Sequence, residues 1–207
     1  MRAVRAPIAA EQLTIVPANE ASCDDVAAIF GTADYPSRCL CQRFKIQGCI
    51  WRDSTQEQRT AMLRGQTACG DANAPATSGL VAYVDKEPAG WVAVEPRTAY
   101  LKLLSLRMPW VGRDEDKDDD GVWAVTCFAV RKGYRKRGLT YALAKAAVNF
   151  ARERGASALE GYAMITEPGR EITWGELHVG ALGVFEEAGL RPVSRPSKRR
   201  VVTRIDF

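Results

Sequence analysis

The chain has 207 residues, 46% of them hydrophobic and 26% charged, a composition that suits one folded domain and excludes a disordered or fibrous polymer. Its formal net charge of +4 is too small to announce a polyanionic partner by itself. Nowhere do about 18 apolar residues run uninterrupted, as a membrane span needs, and residues 1–10 carry Arg2 and Arg5 but no apolar leader segment, so a cytoplasmic protein is expected.

Residues 13–16 are a short β-branched run ended by Pro17, and residues 21–30 show helical spacing at Val26, Ile29 and Phe30; a strand and then a helix are predicted. Residues 31–53, irregular and aromatic with Tyr35, Phe44 and Trp51, read as a loop or broken helix near a binding surface. Ser54 with Glu57 three residues on has capping-box spacing ahead of Met62 and Leu63, which predicts a second helix ending between Gly65 and Gly70. A loop rich in Gly, Ala, Asn and Pro follows. Residues 80–84 and 89–94 then flank Asp85-Lys86-Glu87-Pro88 as an antiparallel hairpin closed by Pro96. Residues 97–121 start apolar and end in Asp114-Glu115-Asp116-Lys117-Asp118-Asp119-Asp120, an acidic run that reads as a solvated mobile loop or as a funnel for a cationic amine.

Residues 122–130 are hydrophobic but for Thr126 and predict a central strand buried on both faces. Leu139, Ala142, Leu143, Ala146, Ala147, Phe150 and Ala151 then mark one face of a helix that ends by Gly155. With the strand at residues 158–164, the stretch 122–164 is a βαβ-like crossover. Beyond Pro168 a helix over residues 179–188 is stopped by Gly189, and residues 190–193 and 201–205 close a hairpin over Ser197-Lys198-Arg199-Arg200.

The segment from Val130 through Arg131, Lys132, Gly133, Tyr134, Arg135, Lys136, Arg137, Gly138 and Leu139 to Thr140 lies between that buried strand and that amphipathic helix. A turn at a helix N-terminus offers free backbone N–H groups and the positive end of the helix dipole, which together bind phosphate. Gly138 allows close backbone approach and Arg135, Lys136 and Arg137 add charge, so the expected ligand is a pyrophosphate.

The stretch resembles motif A of the GNAT (GCN5-related) N-acetyltransferases: Arg or Gln, two residues, Gly, one residue, Gly or Ala. Arg135 and Gly138 match, and Thr140 stands where the family has a small residue. The order of elements and the tail Gly183-Val184-Phe185-Glu186-Glu187-Ala188-Gly189-Leu190 are also similar to that family's. The resemblance implies an α+β fold, a mixed central sheet of about seven strands flanked by helices with its central strands splayed, in one domain over residues 1–207. It implies acetyl-CoA as the acyl donor, its pantetheine along Phe128, Ala129 and Val130 and its pyrophosphate on Arg135, Lys136, Arg137, Gly138, Leu139 and Thr140. The activity implied is acetyl transfer to a primary amine by direct attack, the amine belonging to a small molecule, a peptide or a protein.

The tail tyrosine that serves many members as acid is Phe185 here, and a phenyl ring has no proton to give. Glu160, Glu176 and His178 are the candidate replacements. Glu160 reads equally as a base or as the partner of a nearby cation, and a lone histidine is commonly a structural hydrogen-bonder. Cys127 with His178 suggests a thiol nucleophile, although a free cysteine commonly serves as a small buried hydrophobe. The six cysteines (Cys23, Cys39, Cys41, Cys49, Cys69 and Cys127) are expected to be reduced. Their spacing and the single histidine do not fit a zinc site, so no metal is expected. Two alternatives remain: a nucleic-acid-binding module using the basic clusters at residues 131–137 and 195–200, merging with the first reading if the acceptor is a charged tRNA, and an acyl-CoA-binding protein without activity. Homodimerisation is left open.

Overall fold

The structure, a computed structural model, describes residues 6–31, 34–167, 169 and 172–207; Arg2, Arg5 and Pro168 lie outside these. Strand β1 (Leu13–Pro17) leads to α1 (Cys23–Phe30), which is capped by Ser22 accepting from the N–H of Asp25. The irregular aromatic region contains two short helices, α2 (Asp34–Cys39) and α3 (Gly48–Asp53), joined through left-handed Leu40 and Cys41. Helix α4 (Gln56–Thr67) is capped by Thr55 with Gln58 as the reciprocal partner, one residue later than Ser54 and Glu57. Both pairs have box spacing; the register is decided by the Ser54 hydroxyl, which donates instead to the carbonyl of Trp51.

Strands β2 (Gly79–Val84) and β3 (Glu87–Pro96) form the predicted hairpin. Its turn residues Asp85 and Lys86 both have positive φ (52° and 67°), the backbone of a type I′ turn whose twist suits the flanking strands. The remaining elements are α5 (Leu101–Ser105), β4 (Val122–Val130), α6 (Leu139–Glu153), β5 (Ala158–Met164), α7 (Trp174–Leu177), α8 (Leu182–Glu187), β6 (Arg191–Ser197) and β7 (Arg200–Asp206). The predicted last helix starts later than residue 179 because residues 179–181 are committed to the sheet, as described below.

The seven strands lie in the order β1-β2-β3-β4-β5-β7-β6. Neighbours are antiparallel except β4 and β5, which the α6 crossover makes parallel. On one face Leu80, Val92, Val125, Leu143, Ala147, Val184 and Phe185 share a core; on the other, Val26, Phe30, Leu63, Val81, Trp91 and Ala129 share another. The period-2 alternation of strands thus sends Leu80 to one layer of helices and Val81 to the opposite one.

The parallel ladder of β4 and β5 runs only from Val122↔Ala158 to Val125↔Gly161. Beyond it β4 stays with β3 and β5 stays with β7, so the two part. The chain after α7 enters the gap: the N–H of Phe128 donates to the carbonyl of His178 (2.6 Å), the N–H of Met164 donates to that of Gly180 (2.8 Å), and Met164 bridges Ala181. Phe185 closes the gap from the α6 side, its ring lying where side chains at Gly161 and Gly180 would have to stand.

One expectation is overturned. Cys23 and Cys69 form a disulfide, their Cα atoms 5.0 Å apart, while Cys39, Cys41, Cys49 and Cys127 are free thiols. The fold brings the start of α1 beside the turn after α4, a proximity that separation in sequence conceals.

Gly161→Ala should overpack the Phe185 ring and destabilise the protein by about 1–3 kcal/mol. Urea unfolding of the two proteins, compared at equal m-value, checks this.

Candidate active site

Past Val130 the chain passes through a 3₁₀ turn (Lys132–Tyr134), and then Lys136 and Gly138 both take left-handed backbone, with φ of 62° and 86°. Gly138 becomes the N-cap of α6 and makes no side-chain cap bond. The N–H groups of Tyr141 and Ala142 return to the carbonyl of Gly138 (3.0 and 3.4 Å), which leaves those of Leu139 and Thr140 as the orphan donors of the first turn. A Cβ on Gly138 would project into open space. That space is a cleft of about 320 Å³ lined by Val130, Tyr134, Arg135, Lys136, Thr140 and Tyr141, with Gly138 and Leu139.

Arg135 and Lys136 are exposed, and Arg135 Nε donates to the carbonyl of Val130 (2.8 Å). Arg137 is not part of this lining. Its Nε donates to the carbonyl of Ala6 (2.9 Å), and its own carbonyl accepts from Ile8 (3.1 Å). Of the six residues expected to grip a pyrophosphate, five therefore surround one cleft and the sixth holds the N-terminal segment.

The strand expected to pair with pantetheine is partly occupied by the chain itself. The N–H of Phe128 is engaged by His178. The N–H of Arg131 donates to Ala89 on β3 (2.9 Å), so the two-residue alternation turns the backbone of Ala129, which is in register with Trp91, to that same side. It turns the N–H of Val130 to the other, open side.

His178 lies against this gap and is buried, at 4% exposure. Its ring is stacked with Phe44 (6.0 Å between centroids) and tilted against Trp174 (5.2 Å), which in turn meets Tyr35 (5.2 Å). Neither ring nitrogen has a partner of hydrogen-bonding geometry among the described residues, although the backbone of Gly175 and Trp174 is near. Burial, reinforced by the charge of Arg43, lowers its pKa to about 4, so the imidazole is neutral throughout the physiological range. Glu176, two residues before it, pairs with Arg199 (3.0 Å). The aromatic stretch at residues 31–53 and the basic stretch at 195–200 are far apart in the sequence, and nothing in it signals that the charges of Arg43 and Arg200 both bear on His178.

A family model described as "Acetyltransferase (GNAT) family" matches residues 44–167, and the chain belongs to that family of acetyltransferases. Acetyl-CoA, the donor for its members, is the group the cleft has to fit. No curated protein matches the sequence. Among solved structures, a GCN5-related N-acetyltransferase from Kribbella flavida is 14% identical, with 96% of this chain and 100% of that one covered at a TM-score of 0.54. yncA of Salmonella typhimurium, solved with its cofactor acetyl-CoA, is 13% identical over 94% of each chain at 0.53. An N-acetyltransferase from Staphylococcus aureus Mu50 is 12% identical over 94% and 98%, also at 0.53. At such identity these likenesses concern the fold, and they carry the mixed seven-stranded sheet flanked by helices.

Glu160 stands apart from the cleft. It is fully buried on β5 and its carboxylate accepts from Arg97 (3.2 Å), Arg204 (3.1 Å), Arg113 and the hydroxyl of Tyr162 (3.0 Å). Glu115 bridges the same guanidiniums, at 3.0 Å from Arg97, 2.6 Å from Arg113 and 3.2 Å from Arg204. Of the two readings of Glu160, the partner of a cation is the one this geometry supports, because its oxygens are saturated and no acceptor can reach them. The acidic run is likewise tethered at its start, through Glu115 and the carbonyl of Asp116, and further on by Lys117 over the Trp110 ring and by Asp119, whose carboxylate accepts from the N–H of Gly121. Cys127 is buried and its thiol is pushed well up by its contact with Cys41 and then by burial, so it is a protonated core residue and not a nucleophile. Glu160→Gln should cost about 3–5 kcal/mol of stability, as breaking a buried ion cluster does, while the folded protein keeps its affinity for acetyl-CoA; urea unfolding and calorimetry read the two effects separately.

Proposed function

We propose that the chain works as one domain that transfers the acetyl group of acetyl-CoA to a primary amine, with the pyrophosphate on the first turn of α6. The observation that carries this is the uncapped N-terminus of α6, open onto a cleft bordered by Arg135 and Lys136 at the end of the strand that parts from β5. The N–H groups of Leu139 and Thr140 meet phosphate oxygens with the helix dipole behind them, and the Thr140 hydroxyl adds a donor where a smaller residue would add none. Val130 offers its N–H to the pantetheine. When bound, acetyl-CoA supplies the acetyl group and the leaving thiolate: a carbon–nitrogen bond replaces the carbon–sulfur bond, and one proton passes from nitrogen to sulfur.

His178 is the residue that moves this proton. Its ring nitrogens have no side-chain partner among the described residues, with only the backbone of Gly175 and Trp174 near, and it adjoins the parted strands through its own carbonyl. The low pKa has a direct consequence: the imidazole is a weak base toward a free ammonium, so the amine has to arrive neutral, and the imidazolium formed is a strong enough acid to pass its proton to sulfur. Phe185 then needs no hydroxyl. Glu176 orients Arg199 and has no proton role in this scheme. The basic run at residues 131–137 is not a free stripe for nucleic acid, since Arg131 and Arg137 are bound to the carbonyls of Pro88 and Ala6.

Calorimetric titration of acetyl-CoA into the parent protein should show binding, and Arg135→Glu with Lys136→Glu should weaken it about tenfold or more, since each reversal removes a charge-assisted contact. A well-folded parent that fails to bind would end the acyltransferase reading. In pH profiles of kcat/KM divided by the neutral fraction of the amine, the enzyme group needed in its neutral form should titrate near 4 rather than near the ordinary histidine value of about 6.5; the corrected value then falls as pH drops through about 4, and His178→Gln should lower kcat by about a hundredfold or more.

A further inference from the structure

The charges around His178 are unbalanced. Arg199 has a carboxylate partner in Glu176. Arg43 donates instead to a neutral group, the hydroxyl of Tyr35, and lies over that ring at 6.0 Å. Arg200 opens β7 in register with Met164, the residue whose N–H reaches Gly180 in the gap between β4 and β5. Neither Arg43 nor Arg200 has a carboxylate within ion-pair distance among the described residues, and both are half-buried. Two guanidiniums held out of bulk water without counter-charge are unfavourable unless an anion joins them.

We propose that the acceptor is an amine that also carries an oxyanion, a carboxylate or a phosphonate, seated on Arg43 and Arg200 beside His178 and the rings of Tyr35, Phe44 and Trp174. The inference rests on the acyltransferase reading. Guanidinium forks match such oxyanions bidentately, and anchoring the anion leaves the amine of the same small molecule beside His178, whose ring nitrogens have no side-chain partner among the described residues. The electrostatics agree. Burial holds Arg200 below its ordinary pKa; Glu176 partly offsets this, and Arg199 and Arg43 add like-charge repulsion. An incoming anion relieves that repulsion and also removes part of the positive charge that keeps His178 from taking a proton. The binding of the correct acceptor therefore strengthens the base that serves it. This reverses the cationic acceptor suggested by the acidic run, whose second carboxylate, Glu115, is already committed to Arg97, Arg113 and Arg204.

The test uses the full chain, acetyl-CoA and matched amines: phenylalanine against phenethylamine, and alanine and 1-aminoethylphosphonate against ethylamine. With kcat/KM expressed per neutral amine, thiol release should favour the anionic member of at least one set by about tenfold or more, the scale of a lost hydrogen bond to a charged group. Preference for phenylalanine or alanine identifies a carboxylate, and preference for the phosphonate identifies that group. Arg43→Ala and Arg200→Ala should raise KM for the anionic substrate and leave the bare amine unaffected, with Arg43→Lys and Arg200→Lys restoring part of the loss and melting temperatures confirming that all four fold. Equal or better turnover of the bare amines, turnover of no anionic amine, or losses that fall alike on both members would overturn the proposal. Calorimetric binding of acetyl-CoA separates that outcome from failure of the acyltransferase reading, in which the donor does not bind at all.

Discussion

Everything distinctive about this fold follows from the point at which two parallel strands cease to pair. Strands β4 and β5 share a ladder of four residue pairs, ending at Val125 and Gly161, and each then follows a different antiparallel neighbour. The right-handed crossover through α6 obliges them to start side by side, and the twist accumulated by their outer partners separates them again. A gap in the middle of a sheet exposes backbone donors and acceptors that have to be satisfied. Here the chain satisfies some of them with His178, Gly180 and Ala181, and leaves the end of β4 beside the open first turn of α6. The same gap therefore fixes both the place of the cleft at the first turn of α6 and the position of the histidine.

Arginine serves three different ends in this molecule, and what distinguishes them is the counter-charge supplied. Around Glu160, Arg97, Arg113 and Arg204 are matched by the carboxylates of Glu160 and Glu115, and Arg97 and Arg113 lie over the Trp110 ring at 5.0 and 5.2 Å; that cluster is architecture. Arg135 is exposed and tied only to a carbonyl, so it can meet a mobile anion at little desolvation cost. Arg43 and Arg200 occupy an intermediate condition, partly dehydrated and under-neutralised, which is the electrostatic condition of a recognition site.

How much of this was legible in the sequence depended on whether the deciding contact was local. The strand over residues 122–130 and the helix that follows announced themselves, because a long apolar run and a stripe at three- and four-residue spacing are records of burial written along the chain. Gly138 was legible for the same reason, since its place between those two elements defines the turn. The helix cap slipped by one residue because Ser54 and Thr55 both satisfy the spacing, and the choice lay with the carbonyl of Trp51. Glu160 looked like a base or an ion-pair partner equally, for its three arginines come from positions 97, 113 and 204 and are brought together only by the sheet order. The pairing of Cys23 with Cys69, and the joint influence of Arg43 and Arg200 on His178, were hidden by distance along the chain in the same way.

The disulfide has an architectural consequence. It joins residues 46 positions apart, and the loop it closes contains α2, α3 and the residues Tyr35, Arg43 and Phe44 that face His178. Closing a loop of that length removes about 4 kcal/mol of chain entropy from the unfolded ensemble, and it does so in a segment whose Val26, Phe30 and Leu63 pack against Trp91 and Ala129 of the central strands. The bounded segment therefore has two duties: α1 and α4 complete one core layer of the sheet, and the stretch between them carries Tyr35 and Phe44 to the rings around His178. Changes that spare the core positions are the ones by which the surroundings of His178 can vary while the strand pairing stays intact.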